Sequence, residues 1–336
     1  MRSMRRFFAL PLLGVLLLAA PVGVLAEVGE IRIAGGFGIT NLPIMVMDKF
    51  GLIEKHGKLQ GIELKGVYAT LAGGANLNDA ILAGAVDFGF PSPTSLYPIW
   101  ARTRGTPNEV KAVLSVSTMP LLLMTRNPAV KSIRDLGEKD RCAVPSLRVS
   151  IQPILMRMAA VKEFGEAASG RFDPITVAVS HPEATQAMLS GAGEINCHFT
   201  SAPYIQMQMK KGIRPILNSY DVTGGPSTFV VAIGPGRFVN ENPKAYAAFT
   251  GALTEAIDWI NRNKSEAAKV YLEKSRDKMA LEDVLVILND PQVQFTIVPQ
   301  KTMVYAEFMF KDGMIKVKAQ SWKDYFFPNA HNLPGS

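Results

Sequence analysis

Two cysteines, Cys142 and Cys197, are all the chain has in 336 residues, too few for a disulfide scaffold. Both fall in predicted strands of the same half of the chain. A pair of buried thiols and a single disulfide are both open readings, because spacing alone does not decide bonding. Histidine is nearly as scarce, at four residues, and no HxH or HExxH spacing occurs among them. With no cysteine pair nearby, this leaves no metal motif, and no metal or other cofactor is expected. The G-x-S-x-G nucleophile elbow is missing, and so is the P-loop. The glycine-rich run GGFGITN does not match G-x-G-x-x-G, and nothing assembles into a catalytic set.

Charged residues make up only 19% of the chain, and there is no long run of lysine and arginine. Removing Arg2, Arg5 and Arg6 at the N-terminus lowers the net charge from +7 to +4. So mild a basicity requires no nucleic acid partner. Beyond the N-terminus no uninterrupted apolar run reaches the ~20 residues that span a bilayer.

The N-terminus itself has a basic start, an apolar stretch from Phe7 to Ala20, and the breakers Pro21 and Gly23. Val24 and Ala26 suit a small-residue cleavage site, so residues 1–26 are expected to be a secretory signal peptide and Glu27 the first mature residue. No cysteine stands at the cleavage point, which argues against a lipoprotein. The composition, 48% hydrophobic with 28 glycines and 22 prolines, is that of a globular chain long enough for two cores.

Those glycines and prolines punctuate a repeated pattern. Short β-prone runs alternate with helical segments from Glu30 to Val116, and the pattern restarts at Pro120 and continues to Leu217. This β-α order favours two α/β units, each with a largely parallel sheet. One phrase occurs twice: AILAGAVDFGFPS at residues 80–92 and AMLSGAGEINCHFTS at 187–201. Each copy has a helix end, a Gly turn, an acidic residue, a strand and a hydroxyl-rich turn. Asp87 and Glu194, the acids of the two copies, sit before their strands and are expected to serve surface turns.

The chain crosses between units near Ser117–Leu123 and returns near Thr223–Phe229, which implies a two-stranded hinge. The expected division is lobe 1 at 27–118 and 228–336 and lobe 2 at 119–227. Lobe 1 would include a helical C-terminal tail packed on the first unit.

In open α/β sheets the ligand crevice lies beyond the carboxyl ends of the strands. The turns there hold Phe37, Gly38, Thr40 and Asn41; Ser92 and Thr94; Ser146 and Arg148; and His198, Thr200 and Ser201. Thr223 and Gly224 mark the return crossing and complete the candidate ligand contacts. Ser, Thr and Asn at helix starts are ordinary caps, worth about 1 kcal/mol each. The same helix starts present free N–H groups that suit anions. Arg148 is a candidate clamp for a carboxylate or sulfonate. Phe37 and Tyr204 could wall the cleft or pack in a core.

The strings IRIAGGFGITNLPIMVMDKFGLIEKHG, LNDAILAGAVDFGFPSPTSL, VKSIRDLGEKDRCAVPS and EATQAMLSGAGEINCHFTSAPY resemble the solute-binding proteins of ABC importers. The similarity is to their nitrate/sulfonate/taurine/pyrimidine-precursor family, over roughly residues 30–275. It implies a type II periplasmic binding fold with hinged closure, a small-molecule solute and an inner-membrane permease as partner. It also implies a monomer in the periplasm that is not an enzyme. Carried over, the family's ligand contacts fall on Phe37, Thr40, Asn41, Ser92, Thr94, Ser146, Arg148, Thr200 and Ser201. Asn196-Cys197-His198 departs from the family's GEVDA-like string and leaves the solute class open among sulfonate, carboxylate, nitrate and heterocycle. A sensor partner that presents a solute to a membrane receptor is an alternative. A pyrimidine-synthase-like enzyme on the same fold is another, against which export and the isolated cysteines argue.

Overall fold

The computed structural model describes residues 27–336, so the expected signal peptide lies outside the described residues. Among the described residues there are eleven strands: β1 (Glu30–Gly35), β2 (Lys65–Thr70), β3 (Phe88–Gly89), β4 (Val110–Thr118), β5 (Leu122–Thr125), β6 (Cys142–Val144), β7 (Thr176–Ala178), β8 (Cys197–Thr200), β9 (Arg214–Asn218), β10 (Thr228–Pro235) and β11 (Gln294–Phe295). They form a six-stranded sheet in the order β11-β4-β10-β3-β1-β2 and a five-stranded sheet in the order β7-β6-β8-β5-β9. Each sheet is the centre of one α/β lobe, and the chain passes between them at β4–β5 and again between β9 and β10.

Both sheets are mixed, where the repeating β-α order suggested largely parallel ones. β1 runs parallel to β2 and β3, and β6 runs parallel to β7 and β8. Helical crossovers require that direction. β10 is antiparallel to β3 and β4, and β5 is antiparallel to β8 and β9. The reason is the hinge. A strand arriving from the other lobe starts at the cleft and runs away from it, whereas β1–β3 and β6–β8 end there.

The core of the first lobe follows helical periodicity. In the helix Pro243–Arg262 the buried residues are Ala245, Ala248, Phe249, Ala252, Leu253, Ala256, Ile257 and Ile260. They recur at i, i+3, i+4, i+7 and i+8 along the helix, which places one apolar stripe against the sheet. Phe249 stacks on Phe88 of β3 with ring centroids 3.8 Å apart.

Cys142 and Cys197 stand opposite each other on β6 and β8 and are joined as a disulfide, which settles the two readings of the cysteines. The C-terminal tail packs on lobe 1. The Phe327 N–H donates to the Ala112 carbonyl at 2.8 Å, and Tyr325 lies against Tyr97 and Trp100. It also reaches lobe 2, where Asp312 accepts from Arg157 Nη1 at 2.7 Å.

The repeated phrase occupies equivalent places. The helices Gly73–Leu82 and His181–Ser190 are followed by left-handed Gly84 and Gly191, and then by β3 and β8. The two acids differ. Asp87 is buried and accepts from the Arg32 N–H at 2.7 Å, Nε at 3.0 Å and Nη2 at 2.6 Å, so it ties β1 to the turn before β3. Glu194 is exposed, as expected of a surface turn. No helix among the described residues is long and apolar enough to cross a membrane.

Candidate functional site: a closed cleft between the lobes

Four strands run straight into helix starts that face one seam. β2 leads to the helix Gly73–Leu82, β3 to Pro93–Thr103, β6 to Ile151–Phe164 and β7 to His181–Ser190. Pro93 and Pro182 stand in the first turns of their helices, where a missing N–H costs nothing.

Between these junctions lies a cavity of about 80 Å³. Lobe 1 supplies Phe37, Thr40, Ala72, Gly73, Phe90 and Ser92, and β10 adds Phe229 and Val230. Pro145, Ser150, Ile151, Gln152, Ser180 and His181 come from lobe 2. Gly36 and Phe37 also border an outer groove of about 800 Å³ that carries Lys274, Arg276 and Lys278 together with Asp277 and Glu183. Phe37, 39% exposed, stands between the inner cavity and this groove.

The lobes touch along the seam. Thr94 Oγ1 and Ser95 Oγ, on lobe 1, both donate to the Val149 carbonyl of lobe 2, at 2.8 and 2.9 Å. The Ile39 N–H meets the Ala202 carbonyl at 3.4 Å. Gly38 and Gly73 permit the approach. Both have positive φ, and a Cβ on them would lie 3.1 Å from the Ala202 carbonyl oxygen and 2.9 Å from that of Pro145.

No Asp, Glu, Lys or Arg side chain lines the inner cavity. Its polarity comes from dipoles. The helices Gly73–Leu82 and Ile151–Phe164 have no side-chain cap, so their first N–H groups stay unpaired by side chains and carry partial positive charge. Phe37, Phe90 and Phe229 supply apolar surface. The arrangement suits a small solute with an apolar or planar body and an acceptor-rich head.

Behind the lobe 2 wall runs a buried polar chain. Gln152 Nε2 lies 3.3 Å from His181 Nε2, and His181 Nδ1 lies 2.8 Å from His198 Nε2. His198 Nδ1 lies 2.8 Å from Gln208 Nε2, and Thr200 Oγ1 lies 3.2 Å from His181 Nδ1. Burial disfavours the charged imidazole and pushes the His181 pKa down to about 4. His198 is driven well below its ordinary value, by burial first and then by His181. Tyr204 stacks on His181 with centroids 5.5 Å apart.

Among the residues expected from the sequence, Phe37, Thr40 and Ser92 line the inner cavity, and Gly38 borders the outer groove. Asn41 is buried beside Gly35 and Tyr68 in a separate depression. Thr94 lies on the seam. Ser146 accepts from Ser150 Oγ through its carbonyl and stays outside the lining. Arg148 is exposed and outside the lining. His198 and Thr200 stand behind His181, and Ser201 is buried, its carbonyl accepting from the Ile205 N–H. Thr223 Oγ1 donates to the Gly225 carbonyl at 2.7 Å, and Lys301 Nζ donates to the Gly224 carbonyl, both in the return crossing. Sequence reasoning missed Ala72, Gly73, Gln152, Ser180 and His181. The rule that ligands gather at strand ends, applied also to β2 and β7 at the sheet edges, would have found Ala72, Gly73, Ser180 and His181.

No curated protein matches the chain. Solved structures do. The alkanesulfonate-binding protein SsuA from Xanthomonas axonopodis pv. citri, bound to MOPS, aligns at a TM-score of 0.68 and 16% identity, covering 90% of this chain and 99% of that one. The periplasmic nitrate-binding protein NrtA from Synechocystis PCC 6803 aligns at 0.66 and 14%, covering 89% and 85%. The periplasmic aliphatic sulphonate binding protein SsuA from Escherichia coli aligns at 0.65 and 14%, covering 92% and 95%. At such identities these likenesses establish the two-lobed periplasmic binding fold. A family model, the NMT1-like family, matches residues 26–272, well over half of the sequence, and the chain therefore belongs to that family.

Proposed function

We propose that the protein is the solute-binding component of an ABC importer. It captures a small organic or anionic solute between lobe 1 (27–118 and 228–336) and lobe 2 (119–227) and delivers it to an inner-membrane permease. The observation that carries this reading is a cavity lined from both lobes by strand-to-helix junctions. Solute binding would hold the lobes together, and release would follow when the hinge opens against the permease. Residues 1–26 would export the chain to the periplasm, where it works as a monomer. Phe37, Thr40 and Ser92 from lobe 1 and Gln152 and His181 from lobe 2 would contact the solute. The site has no catalytic role in this reading.

The direct test is calorimetric titration with sulfonates, carboxylates, nitrate and neutral heterocycles. One solute should bind with 1:1 stoichiometry, and small-angle scattering should show the same or a smaller radius of gyration on binding. Turnover of a panel member, or no binding across the panel and no co-purifying solute, would overturn the proposal.

A further inference from the structure

The polar chain behind the cavity has a direction, and the direction follows from counting donors. His181 and His198 are buried, and burial holds both imidazoles neutral, so each carries one N–H. Gln208 Nε2 donates to His198 Nδ1 at 2.8 Å. The His198 proton then sits on Nε2 and is donated to His181 Nδ1 at 2.8 Å. Thr200 Oγ1 lies farther from the same Nδ1, at 3.2 Å, so the single lone pair there goes to the closer His198 N–H. His181 is thereby left with its proton on Nε2, facing the Gln152 amide at 3.3 Å.

Two N–H groups cannot bond to each other. Oxygen and nitrogen of an amide are assigned by their partners. Gln152 therefore turns Oε1 toward His181 and its NH₂ group toward the cavity it lines. The reverse ordering would need Gln208 to accept from His198. That would leave a Gln208 NH₂ where its Oε1 now has no partner. A buried carbonyl oxygen without a partner is tolerated better than a buried donor without one.

We propose that Gln152, His181, His198 and Gln208 form an uncharged, proton-ordered relay that fixes the Gln152 amide as a hydrogen-bond donor to the cavity and so selects solutes with acceptor-only heads. This deepens the reading of the cleft as a solute site and rests on it. The donor joins the uncapped N–H groups of the helices Gly73–Leu82 and Ile151–Phe164. A head group carrying its own N–H donors would meet donors on these sides. Gln208 acts through the relay as a positioning residue, since it does not line the cavity.

Two measurements decide the proposal. The chain has only four histidines, so nitrogen-15 NMR of the histidine-labelled protein can be assigned with His56→Asn and His331→Asn variants. At neutral pH, His181 and His198 should both be uncharged with the proton on Nε2 and a bare Nδ1. An imidazolium, or an Nδ1–H tautomer at either residue, overturns the relay.

Calorimetry with methanesulfonate, acetate and nitrate as acceptor-only probes tests the consequence. The probe that binds the native protein should bind Gln208→Met about tenfold more weakly, the scale of one ordered hydrogen bond. Gln152→Leu should show the same loss and serves if Gln208→Met does not fold. Unchanged affinity in a folded variant overturns the proposal. So does binding of donor-headed solutes such as methylammonium in preference to all three probes. Failure of the binding function itself would differ, because no solute of either kind would then bind.

Discussion

The two hydroxyls on the Val149 carbonyl make the sharpest prediction about closure. Thr94→Val with Ser95→Ala removes both donors and keeps the helix start, because Pro93 and the Ser92 carbonyl bond to the Ser95 N–H remain. Each hydrogen bond is worth a net ~1 kcal/mol. In the open form the freed carbonyl regains water, so the pair contributes about 1–2 kcal/mol to closure. That shifts the closed-to-open ratio by about 5- to 30-fold. A solute that binds the closed form should lose affinity by up to the same factor. Calorimetry on the tightest binder of a solute panel reads the loss, and small-angle scattering without solute should show a larger radius of gyration. Global stability should fall by no more than the same ~1–2 kcal/mol, because the substitutions leave both sheet cores intact. Unchanged affinity with an unchanged scattering curve would refute the claim that these hydroxyls latch the lobes.

Other expectations follow from the same coordinates. His181 titrates near 6.5 in the unfolded chain and at about 4 in the fold, so the unfolded chain binds the proton first. Stability should be complete above about pH 6.5 and fall by roughly 3 kcal/mol down to about pH 4, with His198 adding in the same direction. Urea unfolding at pH 7, 6, 5 and 4 measures this, and a flat profile contradicts it. Reduction of Cys142–Cys197, which closes a separation of 55 residues, should cost about 4 kcal/mol and lower the urea midpoint. A thiol assay on unreduced, denatured protein should find none. Phe249→Ala should cost about 3–5 kcal/mol by removing the ring stacked on Phe88, with no direct effect on the cavity. A loss below 1 kcal/mol would show that the helix Pro243–Arg262 is not pinned there.

Much of the fold was legible because local signals agreed. IRIAG and TFVVAI are β-prone runs bounded by glycine or proline, and both are strands. Gly191 ends the helix His181–Ser190 in the left-handed conformation that only glycine adopts freely. The turn from Phe37 to Thr40 and the turn at Ser92 reach the cavity because they follow strand ends, a property of topology that a sequence states openly.

What was not legible depends on pairing across the chain. Nothing local tells β10 to run against β3, since its direction is set by the return from the other lobe. Arg148 has the chemistry of a clamp, but its position on an exposed loop depends on how Val149 meets Thr94 and Ser95. Cys142 and Cys197 are bonded because β6 and β8 are neighbours, a fact of sheet order. His181 and His198 acquire meaning only through Gln152 and Gln208, which are separated by 56 residues of sequence and joined by two imidazoles.

The central claim is that the cavity between the lobes holds a solute. Native mass spectrometry of the protein isolated from its native cells, beside an Ala72→Phe variant that fills the cavity, tests it most directly. The native protein should carry one bound small molecule that disappears on denaturation and refolding, and the folded variant should carry none. A solute bound equally by both would place the binding site elsewhere.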